Sequence, residues 1–420
     1  MRRIFLCLAA VFTLSIAAFA NDPTATSYPW ADCQGTAKPY PAPEHVTAYP
    51  DSLTPVMINH VGRHGARFPA SAKKVNAMIG ALEKARTAGT ITPLGQKLLT
   101  LCKGVAAYVN GRWGALDSLG MAEQRGIASR MLAAYPMLFK NSQINAISSY
   151  SPRCIMSMDE FTHQLARMDN SVELNLGSGR RFSPLMRFFD LSADYKDFRA
   201  SEELKTTLDN YADAHCPAAP LARVLGQGFD FANYPRTATE LALDEFAVLA
   251  GLEAMGLTVD VSPYLTSAEQ NELWNITNFQ HYLQYSASTL SSVPSSMAGA
   301  LLEDLISTTD AFIEGNKSIA TVNLRFGHAE TLMPLLSLMR LPGCYYLTNI
   351  FDTVASHWHD FYVVPMAANL QMILFRAPSG RFYLRTDLNE VPVNLVPGHE
   401  LVYVPWETAR EFLVKCMPLF

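Results

Sequence analysis

Pro55-Val56-Met57-Ile58-Asn59-His60-Val61-Gly62-Arg63-His64-Gly65-Ala66-Arg67-Phe68-Pro69 is the stretch on which the reading of this chain turns. Its first half, residues 55 to 61, is short, apolar and rich in β-branched residues, which predicts a buried strand ending at the motif. Open α/β sheets place their chemistry at strand ends. The second half sets one histidine between two arginines. A phosphoryl group carries its charge on peripheral oxygens, which planar guanidinium forks bind through charge-assisted hydrogen bonds. Arg63 and Arg67 are therefore read as a phosphate clamp. A neutral imidazole held against phosphorus can attack it, so His64 is the candidate nucleophile. Gly65 has no Cβ, which allows a tight turn and close approach of a bulky anion.

Two distant segments repeat the design. Residues 144 to 150 predict a second strand, followed by a polar Ser151-Pro152-Arg153 turn that offers Arg153 as a further phosphate ligand. Residues 319 to 326 predict a third strand, after which Gly327 turns the chain into His328-Ala329-Glu330-Thr331. A helix is expected from Leu332 to Met339, with Thr331 near its cap and Pro334 in its first turn. A histidine ahead of a helix N-terminus adds a donor where backbone N–H groups already favour an anion, making His328 a phosphate ligand. Phosphomonoester cleavage also needs a proton delivered to the departing alcohol. Glu330 is the candidate general acid.

At these residues the chain resembles the histidine phosphatase superfamily, in its acid phosphatase and phytase branch, whose signature is Arg-His-Gly-x-Arg-x-Pro. That branch completes its site with a distant arginine and a C-terminal histidine followed by an acid. Most members carry His-Asp there, whereas His-Ala-Glu is typical of the multiple inositol polyphosphate phosphatases. The resemblance implies an α/β fold, a mixed sheet flanked by helices with an inserted, mainly α-helical domain, and a substrate held between the two parts. It implies hydrolysis of inositol polyphosphates, with phytate as substrate, through a phosphohistidine formed on His64. No cofactor or metal is called for. Two alternatives stay open: a broad-specificity acid phosphatase acting on small monoesters, and a non-catalytic phosphate-binding protein. Phosphomutase chemistry also occurs in the wider superfamily.

The remaining sequence sets the context. Arg2 and Arg3 precede an apolar run from Ile4 to Phe19, and Ala18-Phe19-Ala20 has the small-x-small pattern of a signal-peptidase site. Residues 1–20 are therefore expected to be a signal peptide, giving an exported protein, periplasmic or extracellular, with no lasting membrane insertion. The family's animal enzymes commonly end in an endoplasmic-reticulum retention tail; here the ending is Cys416-Met417-Pro418-Leu419-Phe420.

Loss of the leader would leave 31 basic against 38 acidic residues. That balance opposes nucleic-acid binding and requires any polyanion to be held by a locally positive cleft. Lys73, Lys74, Arg180, Arg181 and Arg187 are further basic candidates for peripheral phosphates. Cys33, Cys102, Cys154, Cys216, Cys344 and Cys416 would remain, permitting up to three disulfides in an exported chain. Cys154 is also read as a small buried residue behind the site.

Helical periodicity is expected over residues 121 to 138 and 239 to 255, and a β-hairpin over 369 to 376 and 381 to 386 around Ala377-Pro378-Ser379-Gly380. The organisation is read as an α/β core from 21–159 and 315–420, interrupted by a mainly helical 160–314 insertion. His357-Trp358-His359-Asp360 could align two imidazoles on a strand face but lacks a full coordination sphere. Walker loops, zinc-protease helices and G-x-S-x-G elbows are absent from the sequence.

Overall fold

The computed structural model describes residues 27–418. The expected leader 1–20, its cleavage before Asn21, Cys7 and the last two residues lie outside them.

A single mixed sheet organises the molecule. Its strands are β1 (Thr54–Arg63), β2 (Gln143–Ser148), β3 (Glu173–Gly177), β4 (Val322–Gly327), β5 (Asn369–Arg376), β6 (Phe382–Leu388), β7 (Val391–Val393) and β8 (Tyr403–Pro405). They run in the order β3-β2-β4-β1-β5-β6-β7, with β8 pairing to β6. β3, β2, β4 and β1 are parallel, whereas β5 is antiparallel to β1. Register aligns Arg63 with Gly327 and Ser148 with Phe326, so three parallel strands end side by side. Every residue of β4 is buried, as expected of a parallel strand covered on both faces. The expected hairpin forms, with Gly380 at φ 86° closing its turn.

Helices follow from the periodic segments. They include α1 (Lys73–Ala88), α2 (Pro93–Val109), α3 (Ser118–Ala134), α4 (Pro152–Met168), α5 (Ala238–Ala250), α6 (Ser267–Tyr285), α7 (Gly299–Ile313) and α8 (Ala329–Leu338). Side chains alternate across β1: Met57 and Val61 join α7 and α8 in one core, while Ile58 joins α3 and α4 in another. A third core unites α1 and α2 with α5 and α6. Helices from before residue 160 thus pack with helices from the 160–314 segment, and β3 keeps the chain in the sheet past that boundary.

Several local expectations are corrected. α3 begins at Ser118 because Asp117 caps it, accepting from the Gly120 N–H at 2.8 Å, and it stops at Ala134 just before Tyr135-Pro136. Arg153 sits in the first turn of α4, where Pro152 fits without losing a helical bond, rather than in a polar turn. α8 begins at Ala329 with His328 as its N-cap, which leaves Pro334 inside the helix. His357 to Asp360 do not form a strand; His357 follows a 3₁₀ turn and Asp360 opens a short helix. The six cysteines that permitted disulfides are all separate thiols. Cys33 and Cys102 lie in the α1–α2–α5–α6 core, Cys344 and Cys416 in the α7–α8 core, and Cys154 at the sheet end.

Candidate active site

The three aligned strand ends deliver the signature residues to one place. Arg63 closes β1, and the chain then turns through Gly65 against α3. A Cβ on Gly65 would lie 2.4 Å from the Gly120 carbonyl oxygen, and one on Gly120 would lie 2.1 Å from that of Ala66. Paired glycines therefore let the loop and the helix touch backbone to backbone.

His64 is buried, and its Nδ1 lies 2.9 Å from the Gly65 carbonyl oxygen. A carbonyl only accepts, so Nδ1 carries the proton and Nε2 is left as the lone-pair nitrogen. Burial, then the charges of Arg63, Arg67, Arg153 and His328, hold the pKa of His64 well below that of an ordinary histidine. The neutral imidazole is favoured. That is the form a nucleophile requires.

The arginines surround it. Arg63 donates to the carbonyls of Thr36 and Val364 at 2.7 and 2.6 Å, and Arg67 donates to Phe68 at 2.9 Å. Burial, then Arg67, pushes the Arg63 pKa down to about 9; burial, then Arg153, pushes that of Arg67 down to about 10. Both remain charged at neutral pH. The Nε groups of Arg63, Arg67 and Arg153 are buried without a protein partner.

His328 faces His64, with ring centroids 5.8 Å apart. Its pKa is also depressed, by burial and then by Arg153 and Arg187. Arg153 reaches Nδ1 at 3.1 Å, while Arg187 and the Ser149 hydroxyl reach Nε2 at 2.8 and 2.9 Å. A neutral imidazole has a single acceptor nitrogen, and guanidinium only donates. Two arginines thus compete for one lone pair. An anion is the species that would satisfy the surplus donor.

Glu330 follows His328 in the first turn of α8 and is partly exposed. Its charge reaches both Arg63 and Arg67. It also lines a hollow with Tyr195, Lys196, Arg199 and Tyr285. Arg63 and Arg67 line a separate cleft of about 380 Å³ that includes Lys73 and Lys74. Arg180 stacks on Tyr150, with its guanidinium 4.8 Å from the ring centroid, and Arg187 lies at the same distance from that ring. Arg181 packs instead over Phe182.

All six residues singled out for the site meet here. Arg187, read only as a peripheral cation, is a direct partner of His328, and it is fixed by Asp190 at 2.7 Å. Ser149, Ser157, Glu123 and Gln124 were missed. Gln124 donates to the Arg63 carbonyl at 2.9 Å, and Ser157 accepts from the Gly65 N–H at 3.2 Å. Asp117 followed by Gly120 was the available signal: a helix cap and a contact glycine that set the first turns of α3, which carry Glu123 and Gln124, against the motif. Cys154 is fully buried behind His328, and burial first of all pushes its thiol up to about 12, so it stays protonated. Among the described residues no group of three or more His, Cys, Asp or Glu is placed to hold a metal ion. No helix there is long and apolar enough to cross a membrane.

The fold is that of the histidine acid phosphatases. Compared with solved structures, the chain superposes on the Bifidobacterium longum multiple inositol polyphosphate phosphatase in complex with inositol hexasulfate with a TM-score of 0.77 and 17% identity, covering 92% of this chain and 99% of that one. A phytase from D. castellii gives a TM-score of 0.70 at 16% identity, covering 93% and 86%. By sequence, multiple inositol polyphosphate phosphatase 1 of Homo sapiens is 23% identical over 381 residues, spanning 84% of this chain and 77% of its own. The Gallus gallus protein of the same name is 23% identical over 377 residues, spanning 84% and 80%. No family model matches the chain.

Proposed function

We propose that this protein is an exported phosphatase of inositol polyphosphates, acting on phytate through a phosphohistidine. The observation that carries the reading is the convergence of Arg63, Arg67, Arg153 and His328 on a neutral, oriented His64, with Arg187 bonded to His328. In the first step His64 Nε2 attacks phosphorus, the bond from phosphorus to the inositol oxygen breaks, and Glu330 gives its proton to the leaving oxygen. The arginines neutralise charge on the equatorial oxygens as the step proceeds. Nδ1 keeps its proton, so the phosphorylated ring is cationic. In the second step water attacks phosphorus, its proton passes to the Glu330 carboxylate, and the P–N bond breaks to regenerate His64 and release phosphate.

The arginine clamp suits a single phosphate. Two separate hollows that share residues with the site carry Lys73 and Lys74, and Lys196 and Arg199, which supports a substrate with several phosphates over a small monoester. We place that substrate between the sheet ends and the helical 160–314 segment. The relatives' names support the same substrate class, and the leader-like first 20 residues support export.

The test is rapid quench of enzyme with ³²P-labelled phytate, paired with kcat/KM for phytate and glycerol phosphate. An acid-labile, base-stable phosphoenzyme that is absent in His64→Ala is expected, with phytate the preferred substrate. A phosphoenzyme with equal preference for both would favour the broad acid phosphatase, and turnover without any phosphoenzyme would remove the mechanism.

A further inference from the structure

The peptide that joins Gly65 to Ala66 is held at both ends. Its carbonyl oxygen accepts the His64 Nδ1 proton at 2.9 Å, and its N–H donates to Glu123 Oε2 at 2.7 Å. The other carboxylate oxygen, Oε1, accepts from the Tyr40 N–H at 2.8 Å. An imidazole, one peptide unit and a carboxylate are thus connected in a line, with Glu123 buried in α3 and held at the end farthest from the nucleophilic nitrogen.

We propose that Glu123 is a positioning residue for the nucleophile, acting on His64 through the Gly65–Ala66 peptide. A negative carboxylate accepting from the N–H polarises the amide and raises electron density on its carbonyl oxygen, as in any hydrogen-bonded chain at low dielectric. That oxygen then holds the Nδ1 proton more firmly. The tautomer with Nε2 free is favoured, and the positive charge that appears on the ring as Nε2 bonds to phosphorus is stabilised. A carboxylate bonded directly to imidazole does the same in serine hydrolases. Here a peptide stands between the two groups, so the effect is smaller.

The surroundings set the charge on Glu123. Arg63 at the end of β1 favours the anion, and Asp117 at the start of α3 opposes it. Across the Tyr40 segment the Tyr40 hydroxyl donates to Glu390, which pairs with Arg130. Burial foremost, partly countered by the two N–H bonds, pushes the Glu123 carboxyl up to about 7. The polarisation is therefore complete above neutrality and fades as pH falls through that value.

The inference rests on the phosphohistidine reading, but its test does not depend on turnover alone. Ring-¹⁵N-histidine NMR of the free enzyme, with His64 assigned by its loss in His64→Ala, reads the Nδ1–H resonance from pH 5.5 to 8.5. The expected result is an inflection near neutrality in the wild type, absent in Glu123→Gln, where the resonance lies upfield. Single-turnover phosphorylation in Glu123→Gln should be slower by about tenfold or more, with KM within about threefold of wild type. A purely structural role would leave the Nδ1–H shift unchanged while altering thermal stability.

A folded Glu123→Gln protein with an unchanged Nδ1–H shift and phosphorylation rate overturns the inference. If that variant does not fold, a flat wild-type titration overturns it equally. Absence of any phosphoenzyme in the wild type would instead remove the mechanism and leave the NMR result to stand by itself.

Discussion

His60 lies on β1, four residues before His64, and is 1% exposed. Its ring packs between Phe161 and Phe326, with centroids 5.2 and 5.3 Å away, and neither ring nitrogen has a hydrogen-bond partner. Burial, then the charge of Arg325, lowers its pKa to about 3. In the unfolded chain it reverts to about 6.5. The folded value is the lower one, so the unfolded state binds the proton first as pH falls. The stability contribution is complete above about pH 6.5 and is lost progressively as pH falls toward 3.

At 1.36 kcal/mol per pH unit, the loss from this residue is about 2 kcal/mol at pH 5 and about 3 kcal/mol at pH 4. Replacing it with Phe or Leu removes the titration. Urea unfolding of wild type, His60→Phe and His60→Leu at pH 7 and pH 5 measures the effect. Any packing cost of the substitution is the same at both pH values and cancels in the difference, as do the contributions of His64 and His328. Wild type should lose about 2 kcal/mol more than either variant between the two pH values. Equal losses in all three proteins would refute the argument, as would an NMR titration of His60 with a midpoint near 6.5.

Three further outcomes are expected at the site. Glu330→Gln should lower kcat on phytate by about 10²- to 10⁴-fold while leaving the first-turnover burst from an aryl phosphate, whose leaving group needs no proton, near its wild-type rate; stopped-flow release of the aryl alcohol beside steady-state rates on phytate checks this. Arg187→Ala removes a charged donor from His328 and should cost about 1.5–3 kcal/mol in kcat/KM, roughly ten- to hundredfold, leaving thermal unfolding within a few degrees of wild type. Raising ionic strength should lower kcat/KM more steeply for phytate than for glycerol phosphate, and Lys73→Ala with Lys74→Ala should flatten that dependence.

Local pattern made the strands and the motif residues legible. Apolar runs ending in Arg63, before Arg153 and before His328 announced three strand ends, and register placed them side by side as parallel strands require. Arg187 was not legible as a partner of His328, because the chain between β3 and α5 carries no signature and its approach depends on how 3₁₀ turns and short helices fold over the sheet. Glu123 failed for a different reason. Its helix was read from apolar periodicity beginning at Met121, yet the turn that meets the motif is set by Asp117 and Gly120, a polar cap and a contact glycine that apolar periodicity ignores. The disulfide count failed because an even number of cysteines states nothing about distance; even cysteines that share a core, Cys33 with Cys102 and Cys344 with Cys416, remain separate thiols.

The net acidity of the chain and the positive density of its site are reconciled by how the arginines are held. Burial and neighbouring charges favour the neutral form of His64 but act against Arg63 and Arg67, whose charged forms they disfavour. Arg63 is retained by two carbonyls, Arg67 by one, and Arg187 by Asp190. The carbonyls fix the direction of Arg63 and Arg67 without neutralising their charge. The surplus donors around His328 remain unsatisfied for the same reason. Such a site is oriented in advance at a cost to folding stability. A bound phosphate would relieve that cost by supplying acceptors and negative charge together, so affinity for the anion and strain in the free enzyme arise from the same arrangement.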